Sequence, residues 1–291
     1  MGDKMFPYLL MLPSLIPIAV ILIYPIFRTA WMSLFNIATQ KPNEGTFVGL
    51  ANYIQVFSSE TFSVDIKNTV VLTVVTVAFS VLIGLGLALA LNRNFPGKGF
   101  FRSLIIIPWA TPQVAAVLVW MWLFDFQFGF VNYALRLLGI VQQNIGWLVT
   151  AQMAMPSLCI VMVWKYFSIS CIMLLAGLQT IDTTLYEVAR VDGANPPRQF
   201  WHITLPGLRE SGSVLILLVT IWCFREFTTV KLLTNGGPAR ATETLVLSTY
   251  LNAFNYYKMG TASAMGMITF LISLLFSIGY FMLFKRRESD I

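Results

Sequence analysis

Three ionisable side chains lie where an apolar chain tolerates them poorly. Lys165, Arg225 and Glu226 each fall inside a long apolar stretch. A charge at the centre of a membrane helix costs roughly 2.5–3.5 kcal/mol on insertion scales, so such a residue turns toward protein or a water-filled cavity. Two kinds of chemistry are then open. Lys165 or Arg225 can pair with Glu226 in a buried ion network, or all three can line a polar pathway and hydrogen-bond a passing solute. Trp164 and Tyr166 flank Lys165 and would add an apolar wall and a hydrogen-bonding tip. A proton or ion relay is a third use of the same residue types.

Other reactive constellations are missing from the sequence. There is one histidine, His202, and neither an HExxH zinc pattern nor a GxSxG nucleophile turn. His202 reads as an ordinary residue of an amphipathic segment. The phosphate cradle of an ATPase needs GxxxxGK[ST] running into a helix. The only Gly-Lys pair, Gly97-Lys98, is followed by Gly99 and lies between two apolar stretches. If ATP drives this protein, another chain must bind it. The three cysteines, Cys159, Cys171 and Cys223, lack CxxC spacing and read as small buried apolar residues.

The elements that must position these groups follow from composition. Of 291 residues, 57% are hydrophobic and 11% charged. A soluble domain carries roughly 25% charged residues, so lipid is the expected solvent. A span needs roughly 20 mostly apolar residues. Six stretches qualify: about Met5–Phe27, Ile66–Leu91, Leu104–Phe124, Met153–Leu178, Val214–Leu233 and Met259–Phe284. The expected fold is all-α and polytopic, one membrane domain over residues 1–291. The first stretch exceeds a signal-peptide core of roughly 7–15 residues and no small-x-small site follows it, so it is expected to be retained. The net charge of +6 reads as topology rather than nucleic-acid binding. With the N-terminus inside, ten Lys and Arg residues fall on cytoplasmic segments and five on external ones. That bias places both termini in the cytoplasm.

The segment between the fourth and fifth stretches, residues 179–206, carries the densest local signals. Thr184 followed by Glu187 fits a capping box. Gly193 suits a left-handed helix terminus, and Asn195 before Pro196 suits the start of a second helix. Pro206 leads into the fifth span. The expectation is a cytoplasmic helix-turn-helix that presents a mixed surface, with Leu185, Val188, Ala189 and Val191 beside Glu187, Arg190 and Asp192. A plain connector has no need of this cap–turn–cap order.

The spacing Glu187-x-Ala189, three residues, Gly193, nine residues, Ile203-x-Leu205-Pro206 resembles the EAA loop of binding-protein-dependent ABC importer permeases, with Val188 at the middle position. Asp192-Gly193-Ala194 resembles the carbohydrate branch. Further stretches resemble the same family in the same order: Phe47–Tyr53, Asn68-Thr69, Pro108–Trp120, Gly129 with Asn132, Ala176–Gln179, and Leu233–Pro238. The resemblance implies a multi-subunit importer in a prokaryotic inner membrane. Its partners would be a second homologous permease, two ATP-binding subunits gripping the loops, and an extracytoplasmic solute-binding protein that delivers a sugar-like substrate. This chain would be no enzyme and would bind no cofactor, ATP and its magnesium residing in the partner subunits. The loop residues implied are Glu187, Ala189, Asp192, Gly193, Ile203, Leu205 and Pro206. The pathway and solute positions implied are Trp164, Lys165, Tyr166, Arg225 and Glu226, whose charged types depart from the smaller neutral residues common in maltose systems. A neutral oligosaccharide is the first choice of solute, and an acidic or phosphorylated sugar the second. The alternative to the importer is an ion-coupled secondary transporter, whose fold often carries repeated halves. No convincing internal repeat is visible.

Overall fold

Long apolar runs become long helices, and the run that carries Pro112 breaks there. The computed structural model describes residues 13, 15–41 and 44–288. Lys4 and the N-terminal end of the first expected span lie outside the described residues, as do the side chains of Lys285, Arg286 and Arg287. In chain order the elements are α1 (Leu15–Met32), β1 (Phe35–Ile37), β2 (Gly45–Phe47), α2 (Ala51–Phe57), α3 (Glu60–Asn92), α4 (Lys98–Ala110), α5 (Gln113–Leu123) and α6 (Phe130–Leu137). There follow α7 (Ala151–Thr180), α8 (Thr183–Val191), α9 (Pro196–Gly207), α10 (Arg209–Phe224), α11 (Thr228–Leu233), α12 (Leu245–Tyr250) and α13 (Met259–Glu288).

Four of the expected spans correspond to unbroken helices long and apolar enough to cross a membrane, α1, α3, α7 and the Met259–Met282 part of α13, while the third is the bent pair α4–α5 and the fifth is made of α10 and α11. The third expected span is not straight. It breaks into α4 and α5, which bend by 95°, because Pro112 has no N–H to continue the helical ladder. The fifth also departs from expectation. α10, which meets α9 of the loop at a 64° bend, stops at Phe224, so Arg225 and Glu226 sit in the break before α11 rather than mid-helix.

The chain forms two compact units. The first comprises residues up to Ser63 with Leu245–Gly279. Its antiparallel hairpin pairs Phe35 with Phe47. Asn52, from the Phe47–Tyr53 stretch, donates to the Ser33 and Phe35 carbonyls at 2.7 and 2.9 Å, which ties α2 to the hairpin.

The second unit holds Val64–Thr244. On α3, Thr69, Thr73, Thr76 and Ser80 are all buried. Small residues let membrane helices approach closely. At Gly84 a Cβ would stand 2.6 Å from the Ser170 Cβ on α7, so the close approach there requires glycine. Two of the sequence motifs act as staples. Asn68 donates to the Arg240 and Glu243 carbonyls at 3.0 and 2.9 Å, anchoring the turn after α11. Asn132 accepts from the Ile145 N–H and Trp147 Nε1, both at 3.0 Å, and donates to the Ile145 carbonyl at 3.0 Å, holding the long α6–α7 connection.

Candidate functional site

The fully helical 30-residue run of α7 carries both candidate sites: a polar and aromatic cluster midway along it and the capped loop at its C-terminal end. The three cysteines are buried and unpaired, in keeping with packing residues.

Midway along α7, Lys165 is buried. Its Nζ donates to the Thr111 carbonyl at 2.8 Å and stands 5.9 Å from the centre of the Trp109 ring. Tyr166, also buried, stacks on Trp222 at 5.9 Å and lies 6.1 Å from Trp109, and the two tryptophans are 5.0 Å apart. Trp164 is about 200° round the helix from Tyr166. It joins a different aromatic row, meeting Trp120 at 5.7 Å. The expected grouping of Trp164 with Lys165 and Tyr166 on one wall is therefore divided between two faces of α7.

Glu226 is buried, and one of its carboxylate oxygens is engaged in local structure. Its Oε1 accepts from Gln113 Nε2 at 3.0 Å and from the Thr229 N–H at 2.7 Å, which caps α11 and ties it to the start of α5. Gln113 Nε2 also reaches Thr229 Oγ1 at 2.8 Å. Arg225 is exposed and makes no side-chain hydrogen bond or ion pair among the described residues. Neither the Lys165–Glu226 nor the Arg225–Glu226 ion pair forms. The Lys165 ammonium donates to a backbone carbonyl and Glu226 Oε1 accepts from an amide and an N–H group, so the two charges are held by separate partners rather than by each other.

Sequence reasoning passed over Trp109, Thr111, Gln113, Trp222 and Thr229. The signal available was Pro108 and Pro112, four residues apart in one apolar stretch, which forecasts a break with carbonyls left open. What the cluster offers chemically is half-buried indole faces beside hydrogen-bonding groups, suited to a solute with both apolar faces and hydroxyls.

The loop at the end of α7 has the expected helix-turn-helix form with one correction. The cap of α8 is Asp182, not Thr184: its carboxylate accepts from the Thr184 N–H at 2.9 Å. A carboxylate two residues ahead satisfies that orphan donor better than a hydroxyl and favours the positive end of the helix. That N–H bond holds the Asp182 carboxyl below its ordinary value of 3.8. A depressed value means the cap contributes at all pH above the unfolded value and is lost as pH falls through the folded one. Hydrogen exchange at the Thr184 amide is thus expected to be unchanged from neutral down to the ordinary carboxylate range and, after correction for intrinsic rates, to quicken only below it.

Gly193 has φ +79°, and its N–H bonds the Arg190 carbonyl at 3.1 Å while Ala194 N–H bonds that of Ala189 at 2.8 Å. Asn195 caps α9 by accepting from the Arg198 N–H at 3.0 Å. Tyr186 OH and Thr204 Oγ1, 2.9 Å apart, join α8 to α9. Glu187, Asp192, Gly193, Leu205 and Pro206 are exposed, and Ala189 and Ile203 half-buried. His202 is exposed, its Nδ1 2.9 Å from the Arg198 carbonyl. Leu185, Val188 and Val191 are 52%, 60% and 88% exposed, so α8 carries an apolar edge that is uncovered among the described residues.

Residues 80–289 match the family described as binding-protein-dependent transport system inner membrane component. The chain is 38% identical over 276 residues to the trehalose/maltose transport system permease protein MalF of Thermococcus litoralis, covering 94% of this chain and 91% of that protein. It is 34% identical over 288 residues to the sulfoquinovosyl glycerol transport system permease protein SmoG of Agrobacterium fabrum, covering 99% and 93%. Its fold is similar to a chain of a bacterial ABC transporter involved in the import of the acidic polysaccharide alginate, with a TM-score of 0.83 at 21% identity, covering 97% and 95% of the two chains. A chain of a bacterial alginate ABC transporter in complex with alginate pentasaccharide-bound periplasmic protein gives a TM-score of 0.81 at 21% identity over 94% and 92% of the two chains.

Proposed function

The chain belongs to the family of binding-protein-dependent transport system inner membrane components, and from that premise we propose that it is the permease subunit of an ATP-driven importer for a sugar or sugar derivative. The observation that carries the reading is the α8–α9 loop. It is capped at both helix starts, cross-braced by Tyr186 and Thr204, and presents Leu185, Val188 and Val191 uncovered at the end of the 30-residue α7. A braced pair of short helices transmits displacement, whereas a slack connector absorbs it. The surface suits an ATP-binding subunit. ATP and its magnesium ion belong to that subunit, and this chain binds neither.

A second, homologous permease completes the pathway, and an extracytoplasmic solute-binding protein delivers the solute. The relatives named for trehalose/maltose and for sulfoquinovosyl glycerol, and the neighbour that imports an acidic polysaccharide, point to the sugar class. Binding of candidate sugars to the solute-binding protein identifies the solute. Both termini and the 179–206 loop lie in the cytoplasm, supported by the ten-to-five Lys and Arg bias. On a background lacking the three buried cysteines, Arg198→Cys is expected to resist an impermeant thiol reagent in intact cells and to react in inside-out vesicles. Labelling in intact cells excludes this topology and, with it, docking of the loop to a cytosolic ATP-binding subunit.

A further inference from the structure

The proposal concerns the break between α4 and α5. A bend of 95° inside an apolar stretch leaves backbone carbonyls without helical donors. Pro112 supplies no N–H, and the first bond into α5 runs from the Ala116 N–H to the Pro112 carbonyl, at 3.0 Å. The Thr111 carbonyl is thereby open, and Lys165 Nζ fills it. Three residues further along α7, on the same face, Ser168 Oγ donates to the Ile105 carbonyl of α4. The far side of the break is held as well, since Gln113, the first residue of α5, bonds Glu226 and Thr229 at the head of α11.

α7 therefore grips the bent span on one side of its break, and α11 grips it on the other. The same α7 runs without interruption to Thr180, two residues before the cap of the α8–α9 loop. Fifteen residues of helix separate Lys165 from Thr180, about 22 Å at 1.5 Å per residue. We propose that Lys165 is a positioning residue: its bond to the Thr111 carbonyl couples movement of α7, and so of the loop, to the angle between α4 and α5. The inference rests on the reading of the loop as the ATP-binding subunit's contact, but the latch itself does not. A backbone carbonyl in an apolar interior has no water to replace a lost donor, which is why a long cation from a neighbouring helix is held there at the cost of burying it. Lys165 accordingly serves as the pin of a hinge.

The test uses the chain in lipid nanodiscs, assembled with its partner subunits. Spin labels are placed at Ser103→Cys on α4 and Leu118→Cys on α5, both exposed. In the otherwise unaltered chain the label pair is expected to give one narrow distance distribution that shifts when ATP and orthovanadate trap the assembly. Lys165→Met, which keeps the stem and removes the donor, should broaden the distribution without nucleotide and reduce the trapped shift. Lys165→Arg should restore both, and Ser168→Ala should produce a smaller broadening. Losing a hydrogen bond to a charged group amounts to roughly a tenfold change in the population of the fixed angle. The same distribution and shift in Lys165→Met as in the unaltered chain overturns the proposal. So does failure of Lys165→Arg to restore them, since a donor and not the lysine itself is what the geometry requires. If Lys165→Met does not assemble, Ser168→Ala and Lys165→Arg decide the matter by the same criteria. Failure of the importer reading looks different: the unaltered assembly then hydrolyses no ATP and shows no trapped shift, while Lys165→Met still broadens the distribution without nucleotide.

Discussion

Gly193→Pro is expected to abolish ATP-dependent uptake while the chain still inserts. Gly193 sits at φ +79° and its N–H bonds the Arg190 carbonyl. Proline fixes φ near −65° and has no N–H, so the turn between α8 and α9 cannot form and the two helices leave their braced geometry. A proline misplaced in this way costs about 3 kcal/mol or more, enough to cut the population of the docking form by about a hundredfold. Gly193→Asn is the discriminating partner, because asparagine is accepted in left-handed helix termini, and it should retain most of the uptake. Glu187 is exposed on α8, so Glu187→Lys alters the docking surface and leaves the fold alone. It should lower solute-stimulated ATP hydrolysis without lowering the amount of chain in the membrane. Normal assembly and normal solute-stimulated hydrolysis in both Gly193→Pro and Glu187→Lys would show that the loop is not the coupling element.

The largest loss of stability is expected at a different residue. Asn132 is 1% exposed and serves three groups of the α6–α7 connection, the Ile145 N–H, the Ile145 carbonyl and Trp147 Nε1. Asn132→Ala leaves all three without that partner. A fully buried polar group left unsatisfied costs about 1–3 kcal/mol. Ile145 and Trp147 are half-buried, so the low end applies to each and a total of about 3 kcal/mol is expected, read as a lower unfolding temperature in nanodiscs. Asn132→Asp keeps an acceptor for the Ile145 N–H and Trp147 Nε1 but loses the donor, and should fall between the two. An unchanged unfolding temperature in Asn132→Ala would mean that the connection is held by other contacts, such as the Phe124–Trp147 stacking at 5.3 Å.

Both expectations start from residues that the sequence singled out, but they differ in what the sequence said of them. The role of Gly193 was legible, because a left-handed terminus after a short helix is a local requirement met by one residue type. Asn132 was visible only as part of a resemblance. Its partners lie 13 and 15 residues away, across a loop with no periodicity to read. Asn68 and the Leu233–Pro238 stretch were likewise noticed separately, and their link is a pair of hydrogen bonds to carbonyls just past that stretch, across more than 170 residues. The cap of α8 is Asp182 and not the Thr184 expected from sequence, because both residue types can cap a helix and only the backbone path shows which residue precedes the first helical turn.

By itself the sequence determined the class of the molecule, since apolar run length and the shortage of charge dictate a membrane solvent and long apolar helices. It also determined the helix-turn-helix loop, since caps and left-handed glycines act over three or four residues. What only the tertiary structure decided was the use of the intramembrane charges. Lys165 meets the Thr111 carbonyl 54 residues away and Glu226 meets Gln113 113 residues away. The burial cost of a charge can be read from the chain, and it requires that a partner exist. Which partner it is depends on where a proline-broken helix leaves its open carbonyls, and that is set by how α4, α5, α7 and α11 pack.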